Sequence, residues 1–454
     1  AFVANVVNTY SKDDLVIHED ALVLVDSEGI VSNLVLNTDP EYHAKVELAE
    51  KQFGGNLIRT GPNGFLTSGL FDLHIHAPQW PMLGIGENLD LAHWLAEQTF
   101  PTEARFSDVK YAREVYEEVV STLLRYGTTT AVYFGSIHVE GTMALAEECM
   151  RQGQRAFVGK VVMDNPDECP DFYRETTKDV RAAIAGTREF ITRVQAMAGT
   201  DEMALVQPVI TPRFIPSCTD EVLRALGAMR EETGVRLQTH ASESDWQVSH
   251  GLKRYDGRHD AASLKDFNLL GKGCIMAHGV FITDDCMETY KSHGCGIAHC
   301  PLSNTLFSNA VLPVRKLLDR EVPVGTGSDV GAGSSPSIML NARLAVSMAR
   351  ILGDGVDPSK PAAERGAVPG RVDISLSEGF WLATKGAANA LGLAHKLGTI
   401  EVGKHFDAVQ WTVGKGTPVP VFSSDTLAQR FTKLFYLSDD RNATRVWVDG
   451  RCVS

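Results

Sequence analysis

Between residues 65 and 329 the chain returns eight times to a short apolar run rich in β-branched residues: 65–74, 128–134, 156–163, 204–211, 235–240, 274–278, 294–299 and 322–329. Segments with helical spacing lie between most of them. In the clearest, Val109, Ala112, Val115, Tyr116, Val119, Leu123 and Leu124 recur every three or four residues, the stripe of an amphipathic helix over 108–126. Ser107 stands before it as an N-cap and Gly127 after it as a C-cap. Residues 227–234 end another helix just before the fifth run. Strands that alternate with helices build parallel sheets, because the crossover needs that length of chain. Eight such units match a (β/α)8 barrel of the TIM type. An open doubly wound sheet is the other arrangement the alternation permits.

The two ends read differently. Residues 21–26 and 30–36 flank the turn Ser27-Glu28-Gly29, and residues 407–412 and 444–448 precede the tight turn Asp449-Gly450. Chain termini often lie close together, so these strand-rich ends are expected to pair. The expectation is an α/β protein: a barrel over 67–399, closed by a helix near Ser377, and a small β-sandwich domain built from 1–66 and 400–454.

Composition narrows the partners. The net charge of −14 argues against a nucleic-acid surface or an anionic membrane, both of which need basic patches. No apolar run approaches the roughly 18 residues of a membrane span. The eight cysteines are scattered without a C-x-x-C pair, and the first residues lack the basic start and apolar stretch of a secretion signal. Reduced thiols and a cytoplasmic location are the default expectation.

Histidine and aspartate fall at the ends of these runs. His74 and His76 end the first, His240 the fifth, His278 the sixth and Asp329 the eighth. In a parallel barrel all strand C-termini open on one face, which carries the active site. Strand alternation puts residues two apart on one side, so His74 and His76 can reach one ion. Together with His240 and Asp329 they make three imidazoles and a carboxylate, a set suited to zinc or iron, one ion per chain. Glu243 follows His240 by three residues, a spacing that can set its carboxyl over a metal-bound water. By itself, a lone acid there is also an ordinary helix-start residue.

The segment Asp72-Leu73-His74-Ile75-His76 resembles the D-x-H-x-H signature of the amidohydrolase superfamily, and His240, His278 and Asp329 fit its later positions. The resemblance is closest to the guanine deaminases and covers most of the chain. It includes HAPQ at 76–79, TFPTEARF at 99–106, TPRF at 211–214, HASE at 240–243, MAHG at 276–279 and AHCP at 298–301. Ser68-Gly69 stands where the family has Pro-Gly, and Gly327-Ser328-Asp329 where it has Gly-Thr-Asp; both leave the ligands intact.

What the resemblance implies is hydrolytic deamination of guanine to xanthine and ammonia by water activated on one metal ion, in purine catabolism or salvage, by a homodimer. Glu243, His278 and Asp329 are then the catalytic groups, with His278 holding the attacking oxygen; a metal-ligand or structural role stays open for it. Gln79, Arg213 and Phe214 become the substrate contacts, although an arginine after a strand is also an ordinary ion-pair partner. A related aminohydrolase acting on 8-oxoguanine or a triazine is the alternative. Lys160 in the third run is expected to be structural, and His299 and Cys300 to pack rather than line a pocket. His138-Val139-Glu140 lacks the P-C-x-x-C partner of cytidine-type deaminases.

Overall fold

In the computed structural model, which describes residues 1–176, 179–366 and 368–454, the central runs are parallel strands joined by helices. Leu70–His76, Thr128–Phe134, Arg155–Gly159 and Val206–Pro208 form one four-stranded parallel sheet. Gln238–Ala241, Ile275–His278, Gly296–His299 and Val324–Thr326 form a second. Val161–Val162 pairs with Thr211–Pro212, and single bridges from Ile210 to Leu237 and from Phe214 to His240 lead on to the second sheet. On the other side, Asp329 N–H donates to the His74 carbonyl and His76 N–H to the Val330 carbonyl. The fold is therefore α/β with parallel sheets. The strands pair as three sheets where the sequence reading expected one closed barrel, because the third and fourth runs each break partway along.

The first run also divides. Gly64–Ser68 belongs to the terminal sheet and Leu70–His76 to the parallel one. A Cβ on Gly69, between them, would collide with the Thr129 side chain, so the chain can pass from one sheet to the other only through glycine.

Both termini enter one eight-stranded sheet. Arg451–Cys452, Ala443–Val448, Ala408–Thr412, Gly64–Ser68, Phe2–Ser11, Asp14–Val25 and Val31–Val35 follow in that order, with Ile58–Arg59 beside Phe2–Ser11. The expected pairing of the two ends is present, but as a single sheet and not as two stacked ones. The reason lies in its apolar faces. Phe2, Ala4 and Val6 pack with Phe406 and Trp447 on one side, while Val3, Leu22 and Val35 on the other are covered by Tyr42 and Ala49 of the helix Tyr42–Phe53. A helix takes the place of a second sheet.

Two helix boundaries differ from the sequence reading. Asp108, not Ser107, caps Val109–Arg125, accepting from the Lys110 and Tyr111 N–H groups; Ser107 is held in the preceding turn, where its hydroxyl donates to the Ala104 carbonyl. The closing helix starts at Leu376 behind a Ser375–Glu378 capping box and breaks at Thr384, before Lys385–Ala390. No helix among the described residues is long and apolar enough to cross a membrane.

A buried ion pair locks the terminal sheet to the parallel one. Arg155, at the start of its strand, donates through Nε to Asp407 at 2.9 Å and through Nη2 to Asp407 at 3.2 Å and Asp449 at 2.5 Å. Removing one partner of such a pair strands the other charge away from water, at a cost of about 3–5 kcal/mol. Arg155→Met should therefore lower the urea midpoint by that amount of stability with the denaturant slope unchanged; a loss under about 1 kcal/mol would show that the pair does little.

Candidate active site

The strand ends bring the sequence-flagged groups to one place. His74 and His76 point the same way from Leu70–His76, and His240 and His278 come from the ends of their strands. Asp329 lies three residues beyond Val324–Thr326. His74 Nε2 stands 3.1 Å and His76 Nε2 3.6 Å from Asp329 Oδ1. The Nε2 atoms of His76 and His240 face each other at 2.9 Å. His278 Nε2 is 3.6 Å from Glu243 Oε1 and 3.8 Å from Asp329 Oδ2. His278 (φ +74°) and Asp329 (φ +51°) are left-handed, a conformation that costs non-glycine residues about 1–3 kcal/mol and recurs at functional sites. Gly327 lets the last strand approach this close: a Cβ there would stand 3.0 Å from both His74 Cβ and Cys300 Sγ.

These donors fit a divalent cation. Both ring nitrogens of His74, His76 Nδ1, His278 Nε2 and Asp329 Oδ1 are buried without a hydrogen-bond partner, whereas buried polar groups nearly always have one. Burial holds His74, His76 and His240 well below the usual imidazole range, so they are neutral with lone pairs to offer. His240 Nδ1–H donates to the Arg213 carbonyl at 2.6 Å, which leaves its Nε2 for the cluster. His74, His76 and Asp329 offer atoms within 4.8 Å of one another, and so do His74, His240 and His278. Neutral imidazoles plus a carboxylate are the donor set of zinc or ferrous iron.

Two supporting groups had no role assigned from the sequence. Asp72 accepts from Ser328 N–H at 2.8 Å and His74 N–H at 3.2 Å, stapling the first strand to the last, and burial pushes its carboxyl up to about 7. Asn304 Oδ1 meets His278 Nδ1 at 2.9 Å and fixes that ring.

A cavity opens beside the cluster. Its wall includes His76, Gln79, Trp94, Arg213, Phe214, His240, Glu243 and Asp329, with Leu91, Leu95 and Ala332 on its apolar side. Burial pushes the Glu243 carboxyl up to about 8, and the Asp329 charge pushes the same way while Arg213 opposes it. Its backbone is pinned by Gln247 Oε1, which accepts from Glu243 N–H at 3.0 Å, and by the Ser308 hydroxyl, which donates to its carbonyl at 2.6 Å. The Phe214 ring lies 5.7 Å from that of Trp246. All nine residues singled out in the sequence thus gather here. Lys160, His299 and Cys300 do not line the cavity; Lys160 pairs with Glu175 instead.

Glu103 and Trp94 were missed. Arg213 forms a two-pronged ion pair with Glu103, which also accepts from Gln79. The signal was the one acidic residue within TFPTEARF. Trp94 carried none: it sits on the short helix Leu91–Trp94, whose sequence has no strand periodicity.

The chain belongs to the amidohydrolase family, whose sequence description matches residues 65–453. Its curated relatives within that family include guanine deaminases from several organisms. The one from Dictyostelium discoideum is 35% identical over 457 residues, covering 99% of this chain and 97% of that protein. The one from Homo sapiens is 36% identical over 395 residues, covering 86% and 83%. Among solved structures, the guanine deaminase of C. acetobutylicum with guanine bound in its active site superposes with a TM-score of 0.86 at 29% identity, covering 99% of each chain.

A ligand that binds only the folded state raises its stability, by about 2.7 kcal/mol at a hundredfold excess over Kd. Zinc added to chelator-stripped protein should raise the melting temperature, and His76→Ala should remove most of that rise. An unchanged melting curve in the stripped parent protein would mean that the cluster holds no ion.

Proposed function

We propose that this chain is a guanine aminohydrolase, converting guanine and water to xanthine and ammonia. The observation that carries the reading is one cavity in which a donor-only guanidinium, an aromatic ring and a carboxyl raised by burial adjoin a cluster of imidazole and carboxylate atoms that lack hydrogen-bond partners. The relatives support it.

In this reading His74, His76, His240 and Asp329 hold one divalent ion, zinc or iron. When bound, the ion supplies the Lewis acidity that lowers the pKa of water from about 15.7 toward about 7. Glu243 takes a proton from the attacking water and delivers it to ring N3, cancelling the charge that develops there; a carboxyl pushed up to about 8 can hold that proton near neutral pH. His278 holds the attacking oxygen through Nε2, which faces Glu243 and Asp329. Asp329 accepts the second proton from the attacking oxygen and passes it to the C2 amine, which leaves as ammonia. Phe214 stacks on the base and Gln79 offers an amide to its edge.

Arg213 can only donate hydrogen bonds. Guanine presents the acceptor O6 to it, whereas adenine presents an amine, donor against donor. A buried polar group left unpaired costs about 1–3 kcal/mol.

Other parts of the reading go with this one. The three parallel sheets are arcs of one (β/α)8 barrel over 67–399, and residues 1–66 with 400–454 make a separate small domain. A cytoplasmic enzyme of purine metabolism suits eight free thiols, seven of them buried. The assembly carried over from the resemblance is a homodimer.

Two experiments test the chemistry. Glu243→Gln keeps the shape but not the proton, so turnover should fall by about 10²–10⁴-fold with metal content retained; near-normal turnover would place proton transfer elsewhere. In a side-by-side assay of guanine, 8-oxoguanine, adenine and cytosine, guanine should be turned over fast and the last two essentially not at all. Arg213→Ala should weaken guanine use without loss of metal. Better use of adenine or cytosine, or normal guanine use by Arg213→Ala, would overturn this assignment of the cavity.

A further inference from the structure

Behind the cavity stands a carboxylate that does not touch it. Glu103 is the one charged residue of the short helix Phe100–Ala104 and is fully buried. Its Oε1 accepts from Gln79 Nε2 at 2.7 Å and from Arg213 Nη2 at 3.1 Å, and its Oε2 from Arg213 Nη1 at 2.7 Å. The Tyr173 hydroxyl is a further hydrogen-bond partner. Gln79 and Arg213 line the cavity, and Glu103 is absent from its wall. One carboxylate therefore holds both polar contacts of the proposed substrate edge from the rear.

We propose that Glu103 is the specificity-determining positioning residue of this site: it orients Arg213 and Gln79 and cancels the guanidinium charge, so that the cavity favours a neutral oxo-purine over an anionic one. The inference rests on the guanine reading above and adds the group that sets charge selection.

The orientation follows from donor counting. A guanidinium has five N–H groups in a rigid fork. Glu103 takes two, which fixes the plane of the fork and the directions of the remaining three. A carboxylate only accepts, so the Gln79 amide must turn its nitrogen toward Glu103; its oxygen then accepts from Gly331 N–H at 3.3 Å.

The charge argument concerns the product. Deamination replaces the C2 amine of guanine with a carbonyl and a ring N–H, which makes xanthine the more acidic base. A buried guanidinium without its counter-charge would attract the xanthine anion and keep it. With Glu103 in place the same donors meet O6 without a net positive charge behind them, so the product gains no such hold.

The test uses Glu103→Gln, Glu103→Asp, Arg213→Gln and the doubly neutral pair Glu103→Gln with Arg213→Gln, all in the metal-loaded full chain. Guanine kinetics are measured together with calorimetric xanthine binding from mildly acid to alkaline pH. Glu103→Gln should raise the KM for guanine by about tenfold or more, with a smaller change in kcat. Its xanthine binding should tighten as pH rises through the ionisation of the base, a trend that the parent enzyme lacks. Glu103→Asp, which keeps the charge, should restore the parent pH response. The neutral pair should also show the parent pH response while its KM stays raised.

A merely structural Glu103 would lower the folded fraction, and kcat with it, leaving KM and the xanthine pH response alone; that result in folded, metal-loaded Glu103→Gln overturns the proposal. If this variant does not fold, Arg213→Gln and the neutral pair decide: Arg213→Gln leaves the Glu103 carboxylate uncompensated and should weaken xanthine binding as pH rises, the neutral pair should restore the parent pH response, and no difference between the two overturns the proposal. Failure of the parent enzyme to turn over guanine would instead sink the functional reading, and xanthine binding would still decide the role of Glu103.

Discussion

The organisation of this protein turns on a cluster of imidazoles and carboxylates taken out of water with part of its hydrogen-bonding capacity unmet. His74 and Asp329 are almost fully buried, and several of their polar atoms have nothing to bond. Desolvation alone would make such a cluster unfavourable. It persists because rigid strands hold it: the ligands sit at strand ends, and Asp72 ties the first strand to the last through two backbone N–H groups. The left-handed backbone at His278 and Asp329 belongs to the same constraint, since both residues must turn back into the cluster where their strands end.

Around this centre the electrostatics divide the labour. Burial keeps the three histidines neutral and so able to donate lone pairs, while the same burial lifts Glu243 until it can carry a proton. One physical effect thus produces a ligand and an acid, because it always disfavours the charged form and the two groups are charged in opposite protonation states. Arg213 is the exception. It keeps its charge beside Glu103, which grips it from outside the cavity wall.

Much of the site was legible because strand geometry is periodic. Residues two apart on a strand share a side, and parallel strand ends share a face, so His74, His76, His240, His278 and Asp329 could be assembled from their spacing. The contacts Gln79, Arg213 and Phe214 came from motif resemblance, since loop residues have no period to read. Trp94 lay beyond both routes; Glu103, although inside the TFPTEARF stretch, carried no role because it acts through a tertiary neighbour, Arg213, 110 residues on, as Asn304 acts through His278. In the fold, apolar runs marked the strands but not their breaks. Gly69 looked like the middle of one strand because residues on both sides are equally apolar, and only the nearness of Thr129 shows that the chain changes sheets there. The helix that covers the terminal sheet was missed for a related reason: an apolar second face does not say what will cover it.

The passage at Gly69 also bears on how a disturbance can reach the site. The strand just before it, Gly64–Ser68, lies between Phe2–Ser11 on one side and Ala408–Thr412 on the other. The histidine pair at 74 and 76 therefore continues from a strand whose two neighbours come from distant parts of the chain, and a change that loosens either neighbour is handed to the first two donors of the cluster through one glycine. The terminal sheet thus acts on the site at a distance, although none of its own residues lines the cavity.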